Sequence, residues 1–178
     1  MKSPRFAPMW AIVFATASLT FAHVGKTAPP DRDRLTIARY RTFAELLAEG
    51  EKRILLGEIE EAIALYTEAQ TLSSFFEIGA NSWNKLCWYG SLWGYAERVL
   101  EACDTAVSLA PDNINIIDSR GLARALAGDT SGAISDFSTF VEGAGDDIRK
   151  FQRQDWIDVL ETGENPFTPE VLRLLFVE

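Results

Sequence analysis

Cys87 and Cys103 are the two residues of this 178-residue sequence best placed for covalent chemistry. They flank Gly94 at similar distances, so the two thiols face each other if Gly94 turns the chain between two helices. In an oxidising compartment that arrangement permits a disulfide, whose contribution to stability would be about 2–4 kcal/mol. Both positions also suit helix packing, where a buried free cysteine acts as a small apolar residue. We favour the free form and keep the disulfide as the alternative.

Acid–base chemistry has few candidates in this chain. The only histidine, His23, lies in or beside an apolar N-terminal segment, which excludes serine triads and histidine-containing metal sites from the rest of the sequence. No glycine-rich phosphate loop is present. Carboxylates are plentiful, but most aspartates fall at predicted turns and helix starts, where capping explains them. We therefore predict no enzyme, no metal and no cofactor, with a carboxylate-dependent hydrolase as the residual alternative.

Composition and charge limit the class of partner. With 47% apolar residues the chain can bury a core, and its net charge of −9 comes with no basic block beyond the first residues. Nucleic acid is therefore not expected as a partner, because nothing would neutralise its phosphates.

Residues 1–25 have the pattern of an export signal. Lys2 and Arg5 precede the apolar run 9–22, which ends in small residues that suit cleavage near 22/23. An uncleaved segment that tethers the protein is the alternative, although a run of about 14 residues is short for a membrane span. Residues 26–34 then form a linker. We expect an exported protein, periplasmic or secreted, without a membrane span after cleavage.

A repeat of 34 residues organises the rest of the sequence. The matching positions are Gly94 with Gly128, Cys87 with Gly121, and Cys103 with Phe137. Such a period is typical of stacked helix pairs, so we predict three repeats within 35–145, at 43–76, 80–113 and 114–147. Apolar periodicity between glycine and proline turns predicts helices at 34–56, 58–72, 81–93, 95–109, 114–127 and 130–142.

Several residues of these repeats resemble the tetratricopeptide pattern, from Phe43 to about Gly145. They are Trp83, Leu86, Ala106 and Pro111 in the second unit and Gly121, Ala133 and Phe137 in the third. Cys87 and Gly90 depart from the pattern. The sequence is also similar to repeat modules at the ends of large multidomain bacterial proteins. The resemblance implies an all-α fold, a right-handed stack of three helical hairpins.

Residues 146–178 are predicted to cap the last hairpin with two helices. The first, about 147–161, carries the apolar residues Ile148, Phe151, Trp156, Val159 and Leu160. The second begins at Pro169, after the capping residue Thr168, and docks through Leu172, Leu175 and Phe176. Phe167 fills a gap between them.

The resemblance implies that the first helix of each hairpin lines a concave groove. The groove residues would be Leu47, Glu51, Ile54, Leu55, Asn81, Asn84, Trp88, Ser91, Leu92, Asn115, Asp118 and Leu122. Trp88 would anchor a bound peptide or helix, unless it packs inside against the next unit. We expect an exported adaptor or scaffold that binds another protein. The alternative is a structural protein that self-associates through Phe75, Phe76 and Ile78.

Overall fold

The protein is entirely helical in the part that the computed structural model describes, residues 41–72 and 75–177. The predicted export signal and linker lie outside these residues. The helices are α1 (Phe43–Leu55), α2 (Ile59–Leu72), α3 (Ala80–Leu92), α4 (Ala96–Leu109), α5 (Ile114–Leu126), α6 (Thr130–Gly143), α7 (Arg149–Glu161) and α8 (Pro169–Leu175).

The first six helices pack as three consecutive pairs, α1 with α2, α3 with α4 and α5 with α6. Neighbouring pairs touch through their first helices, since α3 contacts both α1 and α5. Helix α7 packs on α6, and α8 reaches back to α3. The first helices α1, α3 and α5 therefore share one side of the molecule.

Glycine turns set the direction of each pair. Gly57, Gly94 and Gly128 have φ angles of +78°, +88° and +88°, a left-handed conformation that glycine adopts without a steric penalty. Each follows a first helix and lets the chain reverse within three residues. The spacing of these glycines in the sequence is therefore the spacing of the helix pairs.

The start of α1 differs from the prediction of one helix over 34–56. Thr42 accepts a hydrogen bond from the backbone N–H of Glu45, and the Glu45 carboxylate accepts one from the backbone N–H of Thr42. This capping box begins a new helix at Phe43. Elsewhere the predicted bounds lie within two residues of the observed ones.

Each pair has a close approach between residues that are sixteen apart in sequence. The three points are Gly50–Tyr66, Cys87–Cys103 and Gly121–Phe137. A Cβ atom on Gly50 or Gly121 would lie 2.8 or 2.9 Å from the facing aromatic ring, so only glycine fits there. In the middle pair a disulfide joins the cysteines, whose Cα atoms are 4.9 Å apart. The free form that we favoured from the sequence is therefore wrong for this structure.

The C-terminal helices close the apolar core of the third pair. Phe167 is buried, and its ring lies 4.9 Å from that of Trp156 and 6.3 Å from that of Phe137. Ile148 and Phe151, by contrast, are exposed on the outer side of α7. Their predicted contribution to the cap is therefore wrong, because the other face of α7 packs inward.

We predict that reducing the Cys87–Cys103 disulfide destabilises the fold without abolishing it. The bond closes a loop of 16 residues in sequence, for which the loss in free energy of unfolding would be about 3 kcal/mol. Urea unfolding with and without reductant measures the loss. The Cys87→Ala/Cys103→Ala double variant is the control and should not respond to reductant. Equal midpoints for the oxidised and reduced wild type would contradict the prediction.

Candidate functional site

Side-chain hydrogen bonds tie the first helices together at the spacing of the repeat. Lys85 on α3 donates to Glu51 on α1 over 2.5 Å, and Ser82 donates to the same carboxylate over 2.9 Å. Arg149 on α7 donates to the Asn115 side chain on α5 over 2.7 Å. These bonds hold α1 against α3 and α7 against α5. We call the side that α1, α3, α5 and α7 share the first-helix face.

The Glu51 carboxylate stays ionised within this network. Burial works to raise its pKa, but the hydrogen bonds from Lys85 and Ser82 together outweigh burial, so the pKa lies below its usual value. Nearby, the Tyr66 hydroxyl donates to the backbone carbonyl of Ser82. Burial, with a smaller contribution from Glu51, raises the pKa of Tyr66. Both groups therefore keep a fixed protonation state near neutral pH and serve to position the helices.

A buried ion pair fastens α7 to α5. The Arg153 guanidinium donates to both Asp118 oxygens at 2.7–3.2 Å, and both side chains are almost fully buried. The Arg153 guanidinium also lies 4.5 Å from the centre of the Trp156 ring. This buried pair is not predicted from the sequence. The 35-residue separation from Asp118, close to one repeat, is the signal that could have identified the pair.

Helix α8 covers one end of the first-helix face. Leu175 is buried in a cluster with Leu92 and Leu122, and Leu172 and Phe176 pack against the same cluster. The Phe176 ring lies 4.9 Å from that of Trp93 and 6.3 Å from that of Tyr89. The predicted docking of α8 is therefore observed, and its position removes part of the predicted groove.

The structure separates the predicted groove residues into two sets. Those that remain exposed or half-buried are Leu47, Glu51, Leu55, Asn81, Asn84, Trp88 and Asn115. Those that are buried are Ile54, Ser91, Leu92, Asp118 and Leu122. The second set corrects our prediction: Ile54 lies in the core, Ser91 donates to the Cys87 carbonyl, and α7 and α8 cover the others.

Asn84 is the unusual residue of this face. Its Oδ1 atom is buried and has no hydrogen-bond partner among the residues that the structure describes. Asn84 lies on α3, one helical turn before Trp88, which is half-buried against the cluster under α8. Leaving a buried acceptor unsatisfied costs about 1–3 kcal/mol.

The two buried aspartates of the described residues form structural contacts. The buried Asp136 accepts hydrogen bonds from Arg120 and Arg124, and the buried Asp118 pairs with Arg153. No cluster of three or more metal-ligating side chains occurs within 41–72 and 75–177.

Comparisons with known proteins identify no relative. Neither family models, nor curated proteins, nor solved structures match this chain. Among the described helices, none is both long enough and apolar enough to cross a membrane. Because no relative is identified, the functional proposal rests on the geometry of the first-helix face.

We predict that Asp118→Leu destabilises the fold by about 3–5 kcal/mol, because it leaves the Arg153 charge buried without its carboxylate partner. The double variant Asp118→Leu/Arg153→Met should recover most of that loss, since it removes both charges. Urea unfolding of the two variants gives the difference. Glu60→Gln is the control: its exposed pair with Arg98 is screened by water, so it should change stability far less. A double variant no more stable than Asp118→Leu would contradict the prediction.

Proposed function

We propose that this chain is an exported tetratricopeptide-like interaction module that holds a peptide or helix of a partner protein on its first-helix face. The three helix pairs support this fold assignment, since Gly57, Gly94 and Gly128 occupy the same place in each. Most of the residues that carry the resemblance are also buried, among them Trp83, Leu86, Ala106, Ala133 and Phe137, whereas Pro111 is exposed. In this proposal the stack is right-handed and α7 and α8 are its cap.

The single observation that carries the function is the unsatisfied Asn84 Oδ1 atom. It lies on the middle one of the three first helices. A buried polar group without a partner is rare in native proteins, and functional sites are one of the accepted reasons for it. The Asn84 side chain as a whole is half-buried, so a rotation of its amide would present this oxygen to a backbone or side-chain N–H of a bound protein segment. Trp88 would then contribute apolar contact beside that hydrogen bond.

We expect Asn84→Leu to raise the stability of the fold and to weaken partner binding. Replacing an unsatisfied amide by an apolar side chain of similar size should raise the free energy of unfolding by about 1 kcal/mol, while partner binding falls by at least about tenfold. Quantitative affinity capture from the native organism, with urea unfolding alongside, measures both. Gln70→Leu, the same change at an exposed amide of α2, is the matched control. A variant that is less stable and captures the same proteins would contradict the proposal.

Self-association is the second candidate function. Phe75 and Phe76 are 93% and 65% exposed in the connection before α3, and the Phe76 ring stacks on Phe43 at 5.8 Å. Ile78, which we also suspected, is buried and cannot contribute.

We expect the mass of the protein to stay that of a monomer as its concentration rises in analytical ultracentrifugation. A dimer that Phe75→Ser abolishes would replace the adaptor proposal by the structural one.

A further inference from the structure

A cleft lies between the second helices of the first two pairs. Helices α2 and α4 have no close backbone contact with each other, and α3 packs against both of them. The space between α2 and α4 has an inner part of about 110 Å³ and an outer part of about 440 Å³. Trp83 of α3 and Thr105 of α4 line both parts, so the two parts adjoin. We call this space the second-helix cleft.

The two ends of the cleft differ. At the inner end, the Arg98 guanidinium on α4 donates to both carboxylate oxygens of Glu60 on α2 at 3.0 Å, which bridges the helices near their first turns. The outer end lies against the connection 73–79, which is longer than the equivalent connection 110–113 of the next pair. Three residues of the longer connection line the outer part: Phe76, Glu77 and Ile78.

Aromatic and aliphatic side chains line the cleft from three helices. Ile63 and Tyr66 belong to α2, Ala102 and Leu109 to α4, and Trp83 to α3. The Tyr66 and Trp83 rings meet edge to face with their centres 5.2 Å apart. A ligand that fills the cleft therefore needs an apolar body.

The polar side chains beside this apolar lining are mainly hydrogen-bond acceptors. Thr67 and Thr105 donate their hydroxyl protons to the carbonyls of Ile63 and Glu101, one turn earlier, at 2.9 and 2.7 Å. Their oxygens are then left to accept hydrogen bonds. The Glu101 carboxylate lines the inner part and the Glu77 carboxylate lines the outer part. A ligand with N–H donors is therefore complementary to the cleft.

The charge of the cleft is negative when every charged residue of α2, 73–79 and α4 is counted. The acidic ones are Glu60, Glu61, Glu68, Glu77, Glu97, Glu101 and Asp104, and the basic one is Arg98. Three of the carboxylates have cations beside them: Glu60 has Arg98, Glu68 has Arg41, and Asp104 has Arg120 and Arg124.

The two carboxylates that line the cleft remain uncompensated. Glu77 and Glu101 have no ion-pair partner among the described residues. Lys85, the basic residue of α3, is bonded to Glu51 on α1. The net charge of the chain, −9, acts in the same direction as these two carboxylates. Both the local and the overall charge therefore favour a cation.

We propose that the second-helix cleft binds a small organic cation, an ammonium group carried on an apolar body. The carboxylates and threonine oxygens accept from the ammonium N–H groups, and the aromatic rings beside them add to the attraction. The outer part alone falls within the size range of small-molecule sites, about 300–1,000 Å³. Asn84 and Trp88 do not line the cleft, so this inference is independent of the proposed protein-binding face.

The test compares molecules that share one apolar body and differ in charge. They are 3-phenylpropylamine, which is cationic at neutral pH, the neutral 3-phenylpropanol and the anionic 3-phenylpropionate. Isothermal titration calorimetry on the full chain, at constant ionic strength, gives the affinity of each. We expect the amine to bind at least about tenfold more tightly than the alcohol, and the carboxylate to bind more weakly than either.

Variants then locate the site. The double variant Glu77→Gln/Glu101→Gln keeps the size of both side chains and removes their charge, so it should weaken amine binding at least about tenfold and leave the alcohol unchanged. Glu61→Gln/Glu97→Gln is the matched control. It removes the same charge from exposed positions of α2 and α4 that do not line the cleft, and it should leave amine binding unchanged. Circular dichroism confirms that both variants keep their helical content.

Other outcomes would overturn the inference. Equal affinity for amine and alcohol, no saturable binding, or an unaffected Glu77→Gln/Glu101→Gln variant would each reject it. Equal losses in that variant and in the control would show an effect of net charge and not of a site. Tighter binding of a blocked tripeptide with a central lysine would make the cleft a contact for protein side chains instead. Asn84→Leu should keep amine binding, so failure of this inference and failure of the proposed function are distinguishable.

Discussion

The close approach of the two helices of each pair, between residues sixteen apart in sequence, is the constraint on which the rest of this structure depends. In the first and third pairs a glycine lies against an aromatic ring, Gly50 on Tyr66 and Gly121 on Phe137. In the middle pair a covalent bond between Cys87 and Cys103 takes the same place. Because these points lie sixteen residues apart in each pair, equivalent residues of successive first helices come to lie side by side. The bonds from Lys85 to Glu51 and from Arg149 to Asn115 follow from that alignment.

Helices α7 and α8 cover much of the first-helix face. Arg153 on α7 forms a buried ion pair with Asp118 on α5. Helix α8 packs over Leu92 on α3 and buries it. What the described residues leave unsatisfied is an amide oxygen on Asn84, and the apolar side chains of Leu55 and Leu56 stay exposed at the end of α1. These two features are of different kinds, one a lone polar atom and the other a hydrophobic surface. In our proposal the binding site lies on α1 and on the beginning of α3, away from Leu92, which α8 covers.

The sequence predicts the helices well, because Gly57, Gly94 and Gly128 interrupt clear apolar periodicity. The sequence also contains the Thr42–Glu45 capping box, a local signal for a helix start at Phe43. The prediction of one helix from residue 34 did not take this signal into account. The groove is predicted less well, since Asp118 and Leu122 look available until α7 and α8 are placed over them. Arg153 looks like a surface charge for the same reason. Such errors arise from contacts between residues about a repeat or more apart, which local patterns do not record. Whether the Asn84 Oδ1 atom finds a hydrogen-bond donor likewise depends on the residues that pack around it in the fold.

The central claim is that partners bind on the first helices, and hydrogen exchange of the free and partner-bound chain tests it most directly. The amide protons of each helix report separately on whether a bound protein covers or stabilises it. The account predicts that a partner recovered by affinity capture slows exchange in α1 and α3 and leaves the second helices α2, α4 and α6 unchanged. Slower exchange confined to α2, α4 or α6, with α1 and α3 unaffected, would contradict it.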